Sequence, residues 1–179
     1  MARIEPLTLS SVQPSVKVTL DRHMCEWPEG ITNTKLTLGR SLQAFEVYIQ
    51  LYPLYESVEK ILGLRLACLY AIALTSASSG PLCVAYFRKK MADSGECSIE
   101  HALTDEERIT IEFGKAIARH YGNISDRIYN NMAGLFSTQD IIVLIAFAGQ
   151  LVAMSIFNNV TETEPDAYIR NYWPEGPML

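Results

Sequence analysis

From Ser41 onward the chain is written in a helical period. Phe45, Tyr48, Ile49 and Tyr52 fall at i, i+3, i+4 and i+7 and make one apolar face. Pro53 kinks or restarts that helix. The stretch 58–76 is apolar almost all round, apart from Glu59, Lys60 and Arg65, and predicts a second helix. Ser78, Ser79, Gly80 and Pro81 stop it, and Pro81 suits the first turn of a third helix over 81–93. Thr104 followed by Glu107 fits a capping box. It opens a helix to about residue 120 that buries Ile109, Phe113, Ala116 and Ile117, and Gly122 closes it. Ser125 can cap a short helix with an Ile128, Met132, Leu135, Phe136 stripe. Ser137 and Asp140 form a second capping box, ahead of the most apolar helix, which runs to about residue 159. No charged residue interrupts its middle, so it is predicted to be the central helix or a subunit interface.

Residues 1–40 keep no period for long. Pro6, Pro14, Pro28, Gly30 and Gly39 punctuate them, and they predict an irregular arm with one short helix near 16–24. Residues 165–179 are polar, carry Pro165, Pro174 and Pro177, and read as a C-terminal tail. Alternating apolar and polar runs are missing, as are Asn-Gly and Asp-Gly hairpins. The expected fold is all-α, with six or seven helices over 41–164, and no repeat of fixed period is present.

The length, 179 residues, suits one domain with its own core. A net charge of -5 argues against nucleic acid as a partner and against attraction to anionic lipid. The apolar run 141–157 is shorter than the ~20 residues that span a bilayer, and Gln150 and Ser155 interrupt it. The N-terminus shows no apolar leader. A cytoplasmic protein away from membranes is expected. Cys25, Cys68, Cys83 and Cys97 lie far apart, so a disulfide framework is not expected. No paired CxxC motifs and no HExxH occur, so neither a metal nor a cofactor is expected.

Cys83 is the most informative residue. It sits in the first turn of the helix after Pro81, where unpaired amides and the helix dipole favour a thiolate. Arg88, Lys89 and Lys90 add positive potential further along. The opposing reading is a small buried hydrophobe, as most free cysteines are.

Around Cys83 the chain resembles the carboxymuconolactone decarboxylase family, which includes the AhpD-like alkylhydroperoxidases. Ala2 to Leu7 is similar to the start of the peroxidase-related members. Residues 39–58 resemble their first long helix, and 62–87 their signature helix pair. Leu103 to Glu107, with Phe113 and Ala116, resembles the next helix. Phe136 to Ile145, then Gly149, Gln150 and Ile156-Phe157-Asn158, resembles the closing one. The resemblance implies an AhpD-like helical bundle with antioxidant, peroxidase-type thiol chemistry. Active members carry C-x-x-C-x-x-x-H, with a glutamate on the preceding helix. The second cysteine attacks the peroxide and the first resolves it. Here the attacking position is Cys83. The resolving position is Gly80, the histidine position Phe87 and the glutamate position Cys68.

Three of the four roles are thus unfilled. Phe87 supplies no base, and a sulfenic acid on Cys83 has no neighbour at residue 80 to close a disulfide. Cys68 faces the redox position by resemblance and is a candidate resolving partner. Tyr70 and Tyr86 are candidate cavity hydroxyls. Arg65 needs a partner, for which Glu59, Glu107 or a bound anion are candidates. His23, beside Cys25, reads as a surface residue, His101 as loop, and His120 as compensating a helix C-terminus. The competing readings are a divergent hydroperoxide reductase, a non-catalytic relative binding a small apolar ligand, and a lactone decarboxylase whose acid and base residues cannot be assigned. The resemblance also implies a homo-oligomer, as dimer, trimer or hexamer.

Overall fold

The structure is a computed structural model that describes residues 2–26, 30–95 and 102–174. Cys97, Glu100 and His101 lie outside the described residues. Eight α-helices occur among these, and no strand: α1 Pro14–Glu26, α2 Asn33–Leu38, α3 Leu42–Tyr48, α4 Leu51–Ala77, α5 Pro81–Asp93, α6 Asp105–Arg119, α7 Asp126–Ala133 and α8 Thr138–Thr161. A 3-10 helix, Ala167–Tyr172, follows. The fold is all-α, as the periodicity predicts.

Both capping boxes form. Thr104 Oγ1 accepts from Glu107 N–H at 3.1 Å, and Glu107 Oε2 accepts from Thr104 N–H at 2.9 Å. Ser137 and Asp140 make the same reciprocal pair at the start of α8. Each satisfies two amides that a helix start leaves open. Pro53 lies in the first turn of α4, where its missing N–H costs nothing, and the break it was expected to mark falls just before it, between α3 and α4.

Helix α4 is the hub and packs against α5, α6 and α8. It begins at Leu51, ahead of the 58–76 segment, and is kinked within that segment at Gly63, whose φ of 73° and ψ of 161° only glycine adopts readily. Leu66, Leu69 and Leu74 of α4 meet Leu144, Phe147 and Leu151 of α8 in one apolar cluster. Tyr70 is fully buried there, and its Oη donates to the Leu144 carbonyl at 3.1 Å. Helix α8 has 24 residues, more than its apolar run, and is long and apolar enough to cross a membrane. In this fold one of its faces is core. On another face Ile142, Ile145, Ile156 and Val160 stay exposed.

The segment 1–40 departs most from expectation. It carries two helices rather than one, and Leu20 and Leu38 join the core. Helix α2 starts at Thr32, whose hydroxyl accepts from Lys35 N–H at 3.2 Å. Six residues are too few to show a helical period. Downstream of α8, the 3-10 helix docks on α5 and buries Ile169.

Candidate functional site: a cavity beside Cys83

The turn between α4 and α5 places Cys83 in the first turn of α5, after Gly80 as N-cap and Pro81. The thiol is only 6 % exposed and forms part of the wall of a cavity of about 90 Å³. Leu38, Tyr48, Tyr55, Phe87, Leu151 and Met154 make most of the wall apolar, with Tyr86 beside them. Such a volume suits one small ring or a short chain, well below the roughly 300–1,000 Å³ of pockets that take drug-sized molecules.

Polar contacts reach the sulfur from α8. Thr34 Oγ1 donates to Asn158 Oδ1 at 2.9 Å, which orients the amide. Asn158 Nδ2 then donates to Cys83 Sγ at 3.8 Å. Ser155 also hydrogen-bonds the thiol. Burial nevertheless pushes the Cys83 thiol up to about 11, against the opposing pull of these two side chains. The expected lowering at a helix start is therefore reversed, because removing a thiolate from water outweighs the dipole. The two lysines of α5 are also directed elsewhere. Lys89 pairs with Asp93, and Lys90 lies 3.8 Å from Glu59 and over the Tyr55 ring.

The unfilled motif positions are closely packed. A Cβ on Gly80 would lie 2.3 Å from Ser155 Oγ and 2.7 Å from Ser155 Cβ, so α8 occupies the space a side chain needs. Phe87 is buried, with its ring centre 5.3 Å from Tyr55 and 5.1 Å from Tyr86. Cys68 is fully buried, and its Sγ meets Tyr55 Oη at 3.5 Å. One tyrosine thus packs against the residues at both the histidine and the glutamate positions. Cys25, Cys68 and Cys83 are all free thiols.

Of the other candidates, Tyr86 lines the cavity and Tyr70 lies in the core. Arg65 Nε donates to Glu107 Oε1 at 2.7 Å, an ion pair on the α4–α6 contact. Burial alone would raise the Glu107 carboxyl. The Arg65 bond and charge, with the Thr104 amide, hold it below the usual carboxylate range. His23 is not a surface residue: it is 2 % exposed, between Phe45 and Tyr52. His120 caps the end of α6.

The sequence reading missed Thr34, Lys35 and Asp166. It noted Ser155 only as an interruption of the apolar run and Asn158 only within the resemblance of the closing helix. A polar amide on the buried face of α8 was the available signal, because such a group needs a partner.

No protein-family model matches the chain, and no curated relative matches it. Solved structures do. The debrominase Bmp8, as a cysteine-to-alanine variant in complex with 2,3,4-tribromopyrrole, is similar at 18% identity, with a TM-score of 0.77 and 94% of each chain covered. An AhpD-core, peroxidase-related protein from Ralstonia eutropha is similar at 11% identity and a TM-score of 0.71, again over 94% of each chain. A peroxidase-related protein from Silicibacter sp. is similar at 13% identity and a TM-score of 0.71, covering 94% of this chain and 96% of that one. At these identities the likeness is one of fold. The helices that hold Cys83 against its cavity are arranged as in the AhpD-like proteins, and this chain has the AhpD-like, all-α fold.

Proposed function

We propose that this chain binds a small, largely apolar molecule in the cavity beside Cys83 and lacks two-cysteine peroxidase turnover. The observation that carries the reading is the thiol itself, buried in a largely apolar wall that pushes its pKa up. A peroxidase of this fold needs a thiolate, a resolving thiol and a proton relay. Gly80 has no room for a resolving side chain, and Phe87 cannot move a proton. A second reading keeps the thiol reactive, with Cys68 as its resolving partner. It draws on the similar debrominase, seen as a cysteine-to-alanine variant in complex with 2,3,4-tribromopyrrole. The Asn158 amide aimed at Cys83 Sγ is the feature here that favours it.

One experiment separates the two. Iodoacetamide labelling across pH, resolved by peptide mass spectrometry, reports each thiol. On the first reading Cys83 labels slowly at neutral pH, and its rate keeps rising to about pH 11. Rapid labelling below the free-thiol range of about 8.5, with hydroperoxide turnover lost in Cys83→Ser and Cys68→Ser, establishes the second.

The chain is also proposed to self-associate through α8. The exposed Ile142, Ile145, Ile156 and Val160 lie on a helix without charge in its middle, and a second copy of this face is a matching apolar surface.

A further inference from the structure

One end of the cavity differs chemically from the rest. There α2 meets the segment just after α8, and two charged side chains join a lining that is elsewhere mostly apolar. Lys35 is 2 % exposed. Its Nζ donates to the Gly30 carbonyl at 2.8 Å and lies 4.7 Å from the centre of the Tyr52 ring. Asp166 Oδ1 accepts from Asn33 N–H at 2.9 Å, which anchors the carboxylate to the start of α2. Its other oxygen, Oδ2, is buried, and no group of the described chain donates to it. A buried acceptor left without a donor costs about 1–3 kcal/mol, and more when charged. Proteins satisfy nearly all such groups, so an exception on a cavity wall points to a donor that arrives from outside the chain.

We propose that Asp166 Oδ2 is the polar recognition point of this cavity, selecting a small aromatic or aliphatic molecule that carries one neutral hydrogen-bond donor, a hydroxyl or an N–H. The inference rests on the cavity-binding reading and adds the ligand class to it. A bare hydrocarbon leaves the acceptor unpaired, and an anionic ligand meets a like charge. Lys35 acts through space on Asp166 and offsets part of the cost of burying its charge. The cavity volume of about 90 Å³ limits the body of the ligand to one small ring. Asp166 is therefore a specificity residue, delivered by a segment that lies beyond the last helix of the bundle.

Phenol and fluorobenzene test this, because they share a ring and differ at one donor. Both are titrated into the whole chain, with binding followed by amide chemical shifts around the cavity. Phenol is expected to bind about tenfold tighter, the worth of one hydrogen bond to a charged acceptor. Asp166→Asn keeps the oxygen that Asn33 uses and places an amide donor where Oδ2 sits. Phenol should lose about tenfold in that variant while fluorobenzene is unchanged, which also shows that the cavity is intact. Equal binding of the two probes to the natural chain overturns the inference and leaves the apolar cavity standing. A phenol preference that survives Asp166→Asn undiminished also overturns it, since the charged acceptor is then not what phenol pairs with. Binding of neither probe overturns both the inference and the reading beneath it.

Discussion

His23 ties the stability of the fold to pH in a way that can be worked out in advance. The imidazole sits edge-on to Phe45 at 5.6 Å and to Tyr52 at 4.9 Å, and neither ring nitrogen has a hydrogen-bond partner among the described residues. Burial, with a smaller contribution from the Lys35 charge, lowers its pKa from 6.5 to about 4. Above pH 6.5 the ring is neutral in both the folded and unfolded chain. Between 6.5 and about 4 the unfolded chain takes up a proton that the folded chain refuses, so stability falls as pH falls. Below about 4 both states are protonated and the loss levels off. At 1.36 kcal/mol per pKa unit the window is worth about 3 kcal/mol. The perturbation is His23→Phe, which keeps an aromatic ring between Phe45 and Tyr52 and removes the titrating group. Urea unfolding of both chains, followed by circular dichroism across this pH range, gives the two stability curves. They should lie within about 1.5 kcal/mol at neutral pH and separate by about 3 kcal/mol towards pH 4, with the natural chain falling further. Asp166 runs in the opposite sense. Burial raises its carboxyl despite the Asn33 amide and Lys35, so its contribution strengthens as pH falls. It is present in both chains and cancels in the difference. Parallel curves would refute the argument, because they mean that His23 titrates as it does in water and α1 is not docked as described.

Two further outcomes follow from packing. Restoring the missing cysteine as Gly80→Cys alone should destabilise the chain by at least 1–3 kcal/mol in urea unfolding, through overpacking against Ser155. The double change with Ser155→Gly should recover most of that loss, and equal destabilisation of single and double variants would contradict it. Ile145→Glu, which places a charge on the exposed α8 face, should convert the proposed oligomer to monomer in light scattering without lowering the melting temperature; an unchanged mass rules this face out as the contact.

The elements with local chemical punctuation were legible from sequence. The boxes at Thr104 and Ser137 set the starts of α6 and α8, and Pro81 set the start of α5. These signals act over three or four residues, so no knowledge of the fold is needed to read them. What was not legible depends on distant partners. His23 reads as polar in its own helix, yet its surroundings come from Phe45 on α3 and Tyr52 on α4. Lys35 is buried because Gly30 and Tyr52 accept it. Asp166 reaches the cavity only because Ile169 pins the 3-10 helix against the bundle. Gly63 was hidden for a different reason: a helix apolar all round has no phase for a kink to interrupt.

The same distinction bears on what it would take to give this site peroxidase chemistry. Each unfilled position has become part of a packing arrangement that spans two or three helices. Residue 80 has lost its side-chain space to Ser155 of α8. Residue 87 packs at a tilt against Tyr55, whose hydroxyl in turn meets the thiol at residue 68. Returning a histidine to position 87 would bury an imidazole against Tyr55 and Tyr86, where desolvation opposes the proton-carrying form. Returning a glutamate to position 68 would place a carboxylate in fully buried space with one tyrosine hydroxyl in reach. A single reversion acts on one neighbour, whereas the largest influence on the Cys83 pKa is the burial of the sulfur itself. The change that acts on that burial is one that admits water, such as shortening Met154 or Leu151 on the cavity wall.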